Sequence, residues 1–195
     1  MPKIVTTLHE LRGSGRMCGE GWETLLIGLG KTKPDNEPLD YLTGLSICGL
    51  YDTLWQLPTK AEHSTACRRL ALSFARPVAT LADDPCAAEI LDRLDDYLRG
   101  EGSSLAVQEA VPPYLRPYTW YEISSGDTWN GYEPGEAATL AAVMTTLPDG
   151  CITPYVVAHL VEEIEACLSI SPDDARRIAQ ARHTELLSDF LSSPD

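Results

Sequence analysis

No stretch of this sequence approaches the ~18 consecutive apolar residues that a membrane-spanning helix requires, so no such helix is expected. Its first eight residues, Met1 to Leu8, lack the basic and apolar regions of a secretory signal, and a cytoplasmic location is expected. Runs of alternating Val, Ile and Thr are nearly absent, which disfavours a sheet protein. No C-x-x-C pair occurs among the six cysteines at 18, 48, 67, 86, 151 and 167, so neither a zinc knuckle nor a redox motif is indicated. In a chain of this length and leucine content they read as small core residues, Cys67 and Cys167 at apolar helical positions among them. Lysine is missing after Lys60, which leaves arginine as the cation there, the side chain better suited to fixed pairing.

What is present in excess is negative charge. Fifteen Lys and Arg face 29 Asp and Glu, a net charge of −14. Residues 1–82 hold nine basic and eight acidic side chains, net +1, whereas residues 83–195 hold six and 21, net −15. Such a surface repels a phosphate backbone and steers basic partners, so direct nucleic-acid binding is not expected. At 195 residues and 44% hydrophobic composition the chain is long enough to bury a core without disulfides.

Apolar residues recur at helical spacing almost throughout, which predicts an all-α protein. A first helix is expected over Gly19–Gly28, broken by Gly28 and Gly30. From Pro38, at a first turn, an apolar face runs to Leu54, weakened at Gly44 and Gly49 so that two shorter helices fit equally well. A third opens at Pro58 with Thr59 as cap, buries Cys67, Leu70, Leu72 and Phe74, and ends at Pro77. The helix capped by Asp84, with Pro85 in its first turn and Gly100 as its stop, buries Ala87, Ile90, Leu91, Leu94 and Leu98. Residues 103–111 add a short helix. Three more are expected over Glu136–Leu147, from Thr153 with Val157, Leu160, Ile164, Cys167 and Leu168 inward, and from Ser171 with Ile178, Leu186, Leu187 and Phe190 inward.

Between them, Val111-Pro112-Pro113 ends the helical pattern and marks an expected boundary, giving an N-terminal helical lobe over 1–111 and an acidic C-terminal lobe over 112–195. The connecting segment from Tyr114 to Tyr132 carries six of the 14 aromatic residues, and Tyr118–Ile123 is a possible short strand. Linkers are polar and poor in aromatics, so this segment is expected to pack down or to meet a partner.

Motifs that would carry catalysis are weak or missing. Gly13-Ser14-Gly15-Arg16 lacks the phosphate-loop patterns and reads as a plain turn; Ser124-Ser125-Gly126-Asp127 is not a hydrolase elbow. His159 and Glu163 stand one helical turn apart but have no nameable third ligand, and Cys67 beside Glu62 and His63 falls on a buried face, unlike an activated thiolate. A non-catalytic protein without a cofactor is expected. The remaining pattern is one of carboxylates. Glu89, Asp92 and Asp96, with Asp95 beside them, lie opposite a leucine stripe, and Glu162, Glu163 and Glu165 cluster on a later helix. Carboxylates one turn apart stand roughly 5–6 Å from each other along the axis, the scale of neighbouring phosphates, so both an acidic docking face and nucleic-acid mimicry fit.

Residues 8–104 resemble a helical module of uncharacterised phage and bacterial proteins, some of them immunity-protein-like. The matching residues are the run Cys18 to Lys31 with Glu20, Gly21 and Trp22, the run Leu50 to Leu57 with Asp52 and Trp55, the run Arg69 to Leu72, and Tyr97 to Gly100. That module brings no catalytic residues with it. Joined to an acidic, aromatic-bearing extension, it is similar to phage counter-defence proteins of the anti-CRISPR type. The resemblance implies a protein-binding inhibitor of a host nucleic-acid-handling defence complex. Its partner would be a basic protein or ribonucleoprotein such as a CRISPR-Cas subunit, met by Glu89, Asp92, Asp95, Asp96, Glu162 and Glu163 with Trp120, Tyr121, Trp129 and Tyr132 as anchors. An immunity protein that neutralises a toxin is the alternative, and a metal-dependent enzyme the third reading.

Overall fold

The computed structural model describes residues 5–57, 61–113, 134–146 and 153–192. Helices make up 79% of these residues, and the sheet among them is a single pair of two-residue strands, so the chain is all-α as its periodicity predicts. The structure divides into two compact units, Met1–Pro58 with Arg182–Asp195, and Thr59–Ala181.

In the first unit, strand β1 (Val5–Thr6) pairs antiparallel with β2 (Leu39–Asp40), Val5 opposite Asp40 and Thr6 opposite Leu39. Helix α1 (Leu8–Ser14) was not signalled by periodicity because it is only two turns long. Its start is nonetheless written locally: the Thr7 hydroxyl accepts from the Glu10 amide, and Gly15 at φ 66° closes it. Gly13 and Ser14, expected in a turn, belong to this helix. Helix α2 (Gly19–Gly28) has its expected bounds, with the Cys18 sulfur accepting from the Gly21 amide as a cap. Leu8, Leu11, Trp22, Leu25 and Leu39 form the core, with Met17, Leu26, Leu29, Ile47 and Cys48 packed against it.

Helix α3 begins at Tyr41, after Asp40 caps it, so Pro38 does not open a helix but precedes a strand. It runs to Gln56 and is interrupted by Gly49 at φ 81°, ψ −173°. A straight helix of this length would separate Tyr41 from Gln56 by roughly 22 Å. Instead the Tyr41 hydroxyl donates to the Gln56 carbonyl at 2.9 Å, so the two arms fold back on one another at Gly49. The two-helix alternative read from the glycines is the one the backbone adopts. Gly28, expected as a breaker, does something else: a Cβ there would lie 2.5 Å from Ile47 Cγ2, so its missing side chain lets α2 approach α3. The stop is Gly30 at φ 66°.

In the second unit, α4 (Ala61–Leu81) packs against α5 (Pro85–Arg99), α7 (Pro134–Thr146) and α8 (Thr153–Leu168); α7 also packs against α5 and α8, and α6 (Ser104–Ala110) against α5. The boundary expected at residues 111 and 112 lies inside this unit, because α7 and α8 from beyond it cover the apolar faces of α4 and α5. Pro77 does not end α4. The helix passes through it and buries Val78 and Ala79 on the far side, while Arg76 is tied to α5. That burial offsets the backbone hydrogen bond a proline removes. Two adjacent arginines on α4 hold the ends of other helices: Arg68 donates to the Thr146 carbonyl at the end of α7 and Arg69 to the Leu98 carbonyl near the end of α5. Helix α5 matches its sequence reading throughout, including all five expected core residues, the Asp84 cap and the Gly100 stop. The Asp84 carboxylate caps α5 through the amides of Cys86 and Ala87 and also accepts from the Thr139 hydroxyl of α7 at 2.6 Å, so one side chain fixes two helices.

The last helix, α9 (Pro172–Ser192), starts at the expected proline with Asp173 and Asp174 in its first turn, and the Ser171 hydroxyl donates to the Asp174 carboxylate. Its buried residues are Ala179, His183, Leu187 and Leu191. Ile178, expected inward, is exposed. No helix among the described residues is long and apolar enough to cross a membrane. The expected Thr59 cap and the possible strand at Tyr118–Ile123 lie outside the described residues.

Candidate functional site

The carboxylates of α5 stand where the sequence put them, on its outer face, because the leucine stripe turns the opposite side into the core. They are not bare. Arg76 of α4 reaches across to Asp92 at 2.8 Å and Asp95 at 3.1 Å; Arg99 binds Asp95 at 2.7 Å, Asp96 at 2.6 Å and Glu101 at 2.9 Å; Arg93 stands 3.7 Å from Glu89. Asp95, shared by two guanidiniums, is the centre of this network and its side chain is 28% exposed, against 67% for Asp92, 59% for Glu89 and 42% for Asp96. Asp92, Glu101 just beyond the helix end, and Glu89 are therefore the most accessible anions of the face. Five carboxylates against three guanidiniums leave it at −2. A phosphate-like ladder would present its charges unneutralised, whereas here arginines bridge neighbouring positions. The hydrogen bond from Arg99 to Glu101, with Asp95 and Asp96 adding their charge, holds the guanidinium pKa above its ordinary value.

The second expected acidic cluster does not form a face. Glu162 and Glu165 are buried, and only Glu163 of the three is exposed. The reason is the setting of α8: it is packed on nearly every side, and among its described side chains His159, Glu163 and Cys167, each one turn from the next, stay exposed, joined at the last position by Leu168, which was expected inward. Glu162 instead accepts a hydrogen bond from Gln180 of α9 at 3.0 Å, so it is a packing residue and not a docking one. Glu163 is held by Arg176 through both oxygens at 3.0 Å, and this hydrogen bonding keeps its carboxyl below the ordinary glutamate range. The paired oxygens of Glu163 also weaken it as a metal ligand with His159, whose ring lies 4.7 Å from that of Tyr155 in an edge-on arrangement. No group of three His, Cys, Asp or Glu side chains suited to a metal ion occurs among the described residues.

The cysteines divide by position. Cys67 is fully buried, as its apolar register predicts, which removes the thiol-and-base reading with Glu62 and His63. Cys167, also expected in the core, is exposed because it falls on the single open stripe of α8. Cys18 is exposed, Cys48 and Cys86 are half-buried, and burial pushes the Cys48 thiol up to about 11, with the Asp52 charge adding to it. Trp120, Tyr121, Trp129 and Tyr132 lie outside the described residues. The arginines that organise the acidic face, Arg76 above all, were missed by the sequence reading, since Arg76 precedes the proline at which α4 was expected to stop.

No family model, curated protein or solved structure matches the chain.

Proposed function

We propose that this protein acts by binding, as a non-catalytic inhibitor that docks a basic protein or ribonucleoprotein through the outer face of α5. The observation that carries the reading is the Asp95-centred network. It holds several carboxylates in fixed positions on a rigid helix, so a partner's cations meet a surface already ordered, at a lower entropic cost. The second unit supplies a long-range field to match: nine Lys and Arg against 19 Asp and Glu, net −10. Arg76 and Arg99 sharpen the site by setting which positions accept a further cation, with Asp92 and Glu89 the most open positions on α5 itself. Trp120, Tyr121, Trp129 and Tyr132 complete the proposal as apolar anchors from the neighbouring segment.

The finer reading, a phage counter-defence protein that blocks a nucleic-acid-handling complex of the CRISPR type, rests on the resemblance of residues 8–104. That stretch runs across both compact units. The test is capture of partners from the host cytoplasm at low salt and at ~0.5 M salt, where the Debye length is short and charge contacts are screened. A basic defence subunit held at low salt, released at high salt and lost with Trp129→Ala supports the proposal. No partner at either salt, or one indifferent to both salt and Trp129, overturns it.

A further inference from the structure

We draw no further inference here: the strongest candidate, the exposed apolar turn between α8 and α9 that carries Leu168 and Ile170, has nothing in the structure to show what covers it.

Discussion

Gly44 and Gly49 sit in the same helix, both with open space where a Cβ would go, and they are expected to respond oppositely to one. At Gly49 the backbone occupies a region essentially reserved for glycine, so Gly49→Ala should destabilise by ~1–3 kcal/mol from backbone strain alone. At Gly44 the conformation is helical, and Gly44→Ala should be neutral or stabilise by up to ~1 kcal/mol. Denaturant midpoints of the two variants check this. Equal midpoints would mean that α3 does not turn back at Gly49. A charged residue supplies a second test at this scale. The carboxyls of Glu163, Asp35 and Asp174 are lowered by hydrogen bonds from Arg176, Lys31 and Arg177 respectively. Below their ordinary values the unfolded chain takes up protons first, so their contribution is complete at neutral pH and is lost as pH falls through the lowered folded values. Thermal unfolding followed across the acid range should therefore show a shallower loss of stability for Glu163→Gln than for the natural chain, and parallel curves would contradict the Arg176 pairing.

Among the elements, α5 and α7 are joined at one carboxylate. Asp84→Ala removes the cap of α5 and the acceptor of Thr139 together, and a cost of ~1–2 kcal/mol is expected from the cap alone. Asp84→Asn keeps an oxygen for the cap and should cost clearly less, while Thr139→Val isolates the bond between the helices. If all three variants unfold at the same denaturant concentration as the natural chain, the carboxylate does not hold the two helices. The cap at Asp84 was legible in the sequence, as were the whole of α5 and the bounds of α2, because local signals at their ends agree with the apolar period. The bond to Thr139 was not, since nothing in a single chain pairs residues so far apart. Pro77 misled for a related reason: a proline reports only local cost, and the burial of Val78 and Ala79 that outweighs it is tertiary. Helix α8 misled through an assumption of amphipathicity. Its Glu162 looks like a surface residue by type, and only the packing on nearly every side shows that a single narrow stripe stays open.

For the whole molecule, the charge excess was plain in the sequence and its spatial division was not. The count by residue number places it after residue 82, whereas the folded chain places −10 in the second unit, which begins at Thr59. The sequence reading put Arg76 in the near-neutral part, apart from the acids it pairs with. The α5 face is thus an arginine-ordered patch of modest net charge within a strongly acidic unit, and both local order and overall field enter the proposed docking. These contributions separate in one experiment. A variant carrying Glu89→Gln, Asp92→Asn and Asp96→Asn changes the net charge from −14 to −11, and so does a control carrying Glu20→Gln, Glu23→Gln and Glu185→Gln in the first unit. Capture of the partner by each, measured at low salt against the natural chain, tests the central claim most directly. Loss of capture by at least tenfold in the α5 variant, with the control unchanged within about twofold, is the result the account predicts; equal capture by both variants would contradict docking through the α5 face.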